Sequence, residues 1–75
     1  MKVLLDTNAF LLPVQFGIDL VRELEGIFGA PELLTLEGVV RELQGIGEGH
    51  GRDAAAARVG LDLARRCRIL PSPEG

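Results

Sequence analysis

Two side chains in this sequence of 75 residues are placed where chemistry could be done, Asp6 and Glu42, with Asn8 close behind the first. Asp6 follows Val3, Leu4 and Leu5, a short apolar run that stops abruptly at three polar residues, as a fully buried strand of a parallel sheet does at its carboxyl end. Ligands of open α/β sheets collect outside the carboxyl ends of the strands, so a carboxylate at a strand tip can point into a crevice. Asn8 can hydrogen-bond locally and hold the backbone that follows. The plainer account of Asp6-Thr7-Asn8 is a strand exit and a helix cap with no chemistry. Glu42 belongs to a helix predicted from about Leu36 to Ile46. At about 100° per residue, Leu36, Val39, Val40, Leu43 and Ile46 cluster on one side, and Glu37, Arg41 and Gln44 face away. Glu42 falls at the edge of that apolar arc, where a carboxylate can lean across the rim of the core toward another element. It also reads simply as a surface glutamate beside Arg41.

The remaining reactive residues give less. A single cysteine excludes an internal disulfide, and one cysteine with one histidine supplies no zinc site, so the composition points to a reducing, cytoplasmic setting. Cys67 reads as a small core side chain rather than a nucleophile. His50 sits in Gly45–Gly51, where glycines alternate. Glycine-rich phosphate cradles lie between a strand and a helix, whereas this run follows a helix, so it reads as a flexible connection with an exposed histidine. The N-terminal apolar run is broken by Asp6 with no cleavage site after it, which argues against a signal peptide, and no run approaches membrane-spanning length.

The net charge of -3 argues against a surface that binds polyanions generally. Its distribution is uneven. Residues 1–50 carry Lys2, Arg22 and Arg41 against eight acids, whereas residues 51–70 carry Arg52, Arg58, Arg65, Arg66 and Arg68 against Asp53 and Asp62. Arginine forks suit phosphate, but solvated decoration of a helix is the preferred reading.

The elements that must position these residues follow from pattern. After the first strand, a helical turn over Ala9–Pro13 is expected, capped by Thr7 or Asn8 and ended by Pro13. Between Gly17 and Phe28, Leu20, Val21, Leu24, Ile27 and Phe28 define a core-facing helix face; Gly29 closes it and Pro31 prevents its resumption. Glu32 to Thr35 is a strand, with Thr35 as N-cap of the helix that carries Glu42. Arg52 to Arg66 is helical by propensity, with Ala56, Val59, Gly60, Leu63 and Cys67 as its packing stripe. Arg68–Leu70 is a minimal third strand, and residues 71–75 read as a linker or loop. The order β, helix, β, helix, helix, β implies right-handed parallel crossovers and an α/β sandwich.

Leu4-Leu5-Asp6-Thr7-Asn8, the continuation from Phe10 to Leu20, the Val39-Val40-Arg41-Glu42-Leu43 helix and the alanine-rich helix leading to Cys67-Arg68-Ile69-Leu70 together resemble the N-terminal part of a PIN domain. The likeness is nearest to archaeal PIN proteins related to small-subunit ribosomal RNA processing nucleases, and it covers essentially the whole chain. It implies a parallel-sheet α/β/α sandwich, here reduced to about three strands with flanking helices. It also implies a metal-dependent endoribonuclease acting on structured or single-stranded RNA, in which acids bind Mg²⁺ or Mn²⁺. Asp6 matches the first acid of the family pattern, Glu42 the second, and Asn8 the polar residue that supports the site.

By the same likeness, residues 1–75 are the N-terminal part of one PIN-like domain. A further strand and helix with an acid pair, and a later strand end with another acid, are expected of the family and are not in this sequence. Glu74 matches none of them. Two carboxylates hold Mg²⁺ weakly, since this ion keeps several waters, so little or no intrinsic activity is expected of these 75 residues. The first strand should be central in the complete fold and should here present an open edge, to be covered by a homodimer or a completing segment. Two other readings stand beside this one. The first is a toxin ribonuclease of the VapC type, for which an antitoxin would be the partner; the second is a non-catalytic remnant or partner-binding fragment.

Overall fold

The computed structural model describes residues 1–73 and contains three strands and four helices in the order β1 (Lys2–Leu5), α1 (Thr7–Gln15), α2 (Leu20–Phe28), β2 (Glu32–Leu36), α3 (Glu37–Gly47), α4 (Arg52–Ala64) and β3 (Arg68–Leu70). The sheet is parallel throughout, with strand order β1-β2-β3. Its register pairs Val3 with Leu33, Leu5 with Thr35, and Thr35 with Ile69. Since side chains alternate along a strand, these residues share one face, and Leu4, Leu34, Leu36 and Leu70 share the other.

The helices occupy only the first of these faces. Leu5, Phe10, Leu20, Leu43, Ala57 and Ala64 form the core, and Val3, Leu33, Leu24, Val39, Val40, Ile46, Leu61, Leu63 and Cys67 pack against it. All four helices contribute to that list, whereas Leu4, Leu34, Leu36 and Leu70 do not. This follows from topology: right-handed crossovers stepping the same way across a sheet put their helices on the same side. The molecule is correspondingly thin, 35 × 33 × 16 Å. Both outer strands, β1 and β3, have a free edge among the described residues, as expected for β1.

The first helix is longer than its sequence suggests. Pro13 lies inside α1 rather than at its end, and the chain continues helically to Gln15. A proline in a helix costs one backbone bond and clashes with the preceding turn. Burial of Phe10, 1% exposed, anchors the helix regardless. The cap is neither Thr7 nor Asn8: Asp6 accepts from the Ala9 N–H, and Thr7 turns inward. In α2, Leu20 and Leu24 reach the core, but Ile27 and Phe28 are 67% and 40% exposed. The hydrophobic period of α2 is therefore right, but the core extends beneath only its first half. Gly29 ends it as expected, with φ of 83°.

Thr35 does not cap α3. The strand runs one residue further, to Leu36, and the Thr35 hydroxyl, fully buried, donates to the Leu5 carbonyl oxygen at 2.9 Å. In α4, Ala56 and Gly60 are buried as the pattern indicates, but Val59 is half exposed and Ala54, Ala57 and Ala64 are the other buried residues. Alanine suits this helix because α4 lies between α1 and α3 at short range. A Cβ at residue 60 would stand 3.1 Å from both Cβ and the carbonyl oxygen of Phe10.

That closeness sets a test. Gly60→Ala improves helix propensity by up to about 1 kcal/mol, but it drives a methyl group into the backbone of α1, and overpacking of this kind costs about 1–3 kcal/mol. The packing cost is expected to win, lowering the urea midpoint of unfolding without changing the slope.

Candidate functional site

The carboxyl edge of the sheet gathers the starts of two helices. β1 ends at Leu5 and α1 begins at Thr7; β2 ends at Leu36 and α3 begins at once with Glu37. Asp6 occupies the tip of β1, exposed, with its Oδ1 accepting from the Ala9 N–H at 2.9 Å. Oδ2 makes no hydrogen bond among the described residues, so one carboxylate oxygen orders the helix and the other has no protein partner there. Beneath it, the Thr35 hydroxyl grips the last carbonyl of β1 and fixes the backbone from which Asp6 projects.

Asn8 lies exposed in the first turn of α1. Glu42 lies exposed on α3, and its carboxylate forms no hydrogen bond or ion pair among the described residues. The helix rise of about 1.5 Å per residue places it about 7.5 Å along the α3 axis from Glu37. Asp6 and Asn8 belong to the start of α1 and Glu42 to the middle of α3, two helices that begin at the same edge of the sheet and make only a small contact beside α4; no hydrogen bond joins Glu42 to either residue among the described residues. Glu42 is more solvated than its place at the edge of the apolar arc suggests. Among the described residues, no group of three or more His, Cys, Asp or Glu side chains is close enough to hold a metal ion. Glu74 lies outside the described residues.

Two residues at this edge escaped the sequence reading. Glu37 follows directly on β2 as Asp6 follows on β1, and it is exposed. Ending the strand at Thr35 hid this equivalence, because Glu37 then reads as part of a solvated helix face. Ser72 is the other. No side chain of α3's own N-cap, Leu36, closes the helix; instead Ser72 Oγ, from the segment after β3, accepts from the Gly38 N–H at 2.6 Å. The signal for it, a serine between two prolines, is indistinguishable in sequence from a linker.

The other candidates lie elsewhere. A hollow of about 970 Å³ opens between the end of α1, α2 and α4 and is lined by Val14, Ile18, Leu20, Leu33, Val59 and Leu63 among others. It contains none of the three predicted residues. His50 is an exposed loop residue. Cys67 is half-buried, its Sγ 3.5 Å from the Leu63 carbonyl oxygen, and burial pushes its thiol above the ordinary value. That is the opposite of an activated nucleophile.

The chain belongs to the PIN-like domain family, whose model matches residues 3–74. No curated protein matches it. Membership agrees with the parallel α/β arrangement and places the chain in a superfamily of nucleases that generally use divalent metal ions. No helix among the described residues is long and apolar enough to cross a membrane.

Two outcomes are expected from this geometry. Because asparagine caps helices as well as aspartate does, Asp6→Asn should leave the urea midpoint nearly unchanged, whereas Asp6→Ala should lower stability by about 1 kcal/mol. Cys67 should react with iodoacetamide at pH 8 more slowly in the folded protein than in urea, as judged by mass spectrometry.

Proposed function

We propose that this chain is the N-terminal part of a PIN-type, metal-dependent endoribonuclease of the ribosomal RNA processing class, with Asp6 and Glu42 as metal ligands and Asn8 in support. The observation that carries the reading is the placement of Asp6: a carboxylate at the carboxyl tip of the first parallel strand, with one oxygen ordering α1 and the other free, in a chain matching the PIN-like family from residue 3 to 74. The donor set consists of hard oxygens, which suits Mg²⁺ or Mn²⁺. Bound there, a divalent ion supplies water activation and neutralises charge on the leaving oxygen. Asp6 is held by its own cap, Glu42 by the rigid turn structure of α3, and the N-termini of α1 and α3 add fixed positive dipole ends that favour a phosphate nearby. Two carboxylates would supply few of the oxygens that such an ion takes, so binding would be weak and cleavage by these residues alone slow or absent.

RNA is the substrate in this reading, and a second copy or a completing segment covers the free edge of β1. A second reading, a non-catalytic module that binds a partner, draws on one observation: the described residues hold no cluster of three or more potential ligands.

Calorimetric titration with Mn²⁺ separates the two. The nuclease reading expects saturable binding that Asp6→Asn and Glu42→Gln each weaken by at least the roughly tenfold that even outer-shell changes cost, with the circular dichroism spectrum unchanged. A folded chain that takes up no Mn²⁺, or whose binding ignores both substitutions, would refute it and favour the partner-binding module.

A further inference from the structure

We infer that the outer face of α4 is a docking surface for the phosphate backbone of a single RNA strand. The inference rests on the reading of the chain as RNA-directed and assigns it a surface separate from the acids of the strand tips. At about 100° per residue, Arg58, Asp62, Ala55, Val59 and Arg52 occupy an arc of about 120° of α4, the C-cap residue Arg65 widens it to about 140°, Arg66 follows in the next turn, and all are exposed. The complementary arc carries Ala54, Ala56, Ala57, Gly60 and Ala64, which are buried. The exposed strip thus carries four cations with Asp62, Ala55 and Val59, and Asp53 is exposed outside it in the first turn of α4.

Three features favour a phosphate ligand over simple solvation. First, the charge is concentrated: eight of the eleven acids lie in residues 1–50, and only three lie in residues 51–75 with the five arginines. Second, the arginines of α4 are not consumed by ion pairs. The described residues contain one such pair, between Arg68 and Glu32 at 3.3 Å, on the far face of the sheet. Asp62 pairs with neither Arg58 nor Arg65, although helical spacing brings it within reach of both. Third, Arg58 is already oriented, its Nη1 donating to the Gly47 carbonyl oxygen at 2.8 Å, which leaves the rest of its five-donor fork available. Arg58 and Arg65, seven residues apart, lie along one side of the strip at a separation of about 10 Å. Arg52 flanks the other side. Arg66 shares the rim of the neighbouring hollow with Asp19 and Glu25 and contributes less.

No aromatic side chain lies on this face, so base stacking and base selection are not expected from it. The contact is electrostatic and independent of sequence, with the salt dependence of counterion release. Three engaged arginines predict a slope of log affinity against log salt near −2, or roughly a 20-fold loss between 50 and 200 mM salt, from about −0.7 per phosphate of a single strand.

The test is fluorescence anisotropy of a labelled 12-nucleotide oligouridine with the full chain, in EDTA. The triple variant Arg52→Gln/Arg58→Gln/Arg65→Gln should lose at least about tenfold in affinity at 50 mM salt and most of the salt slope. The double variant Arg52→Gln/Arg65→Gln keeps the Arg58 bond to α3 and should show an intermediate loss, which guards against a folding defect. A control of equal charge, Lys2→Gln/Arg22→Gln/Arg68→Gln, should bind like the wild type. Absence of binding at 50 mM salt, an equal loss in the control, or preference for an acidic peptide over RNA would overturn the assignment. Since EDTA removes the metal, RNA binding without Mn²⁺ binding would sink the nuclease reading and leave this surface standing. Mn²⁺ binding without RNA binding would do the reverse.

Discussion

The arrangement depends on one topological constraint: two parallel crossovers step in the same direction across a three-stranded sheet. With right-handed connections, every helix must then lie on one face. Four helices crowded onto so small a sheet can approach closely only if some present small side chains, and α4 does so with alanines and with Gly60 against Phe10. The same constraint sends the chain back to one edge of the sheet after each strand. Asp6 and Glu37 therefore stand at neighbouring strand tips, and α1 and α3 start side by side.

The chemistry of that edge is maintained by backbone bonds rather than by a polar cluster. The Thr35 hydroxyl closes on the last carbonyl of β1, Asp6 caps α1, and Ser72 caps α3 from the far end of the fold. Asp6 thus has a structural role that exists without any metal. It also stands at the carboxyl tip of a parallel strand, the edge where ligands of open α/β sheets collect. The sheet face opposite the helices carries Leu4, Leu34, Leu36 and Leu70; Leu4 on the outer strand is 58% exposed, whereas Leu34 on the central strand is 9% exposed.

Local signals carried much of the architecture. The apolar run ending at Asp6, the period of α2, the glycine at its end and the alanine-rich α4 are properties of neighbouring residues, and each marks an element that the structure contains. The errors share one cause. Local preference ends α1 at Pro13, makes Thr35 a cap and puts Val59, Ile27 and Phe28 in the core, and in each case what lies across from the residue decides otherwise. Phe10 holds α1 together past its proline, the Leu5 carbonyl draws the Thr35 hydroxyl inward, and the core stops short of the second half of α2. Glu42 was legible as a helical carboxylate, but its solvation depends on how α3 meets its neighbours, which no spacing records.

The sequence by itself determined the fold class, the parallel order of the strands and the position of Asp6 at a strand tip, because hydrophobic period, glycine and proline positions and chain connectivity act over a few residues. Only the tertiary structure decided that Asp6 rather than Thr7 or Asn8 caps α1, that Ser72 caps α3 and that Glu37 is a second strand-tip acid. It also decided that the arginines of α4 share one open face. These depend on hydrogen bonds and packing between residues as many as 34 positions apart, where the geometry of the sheet and not the order of the chain sets which groups meet.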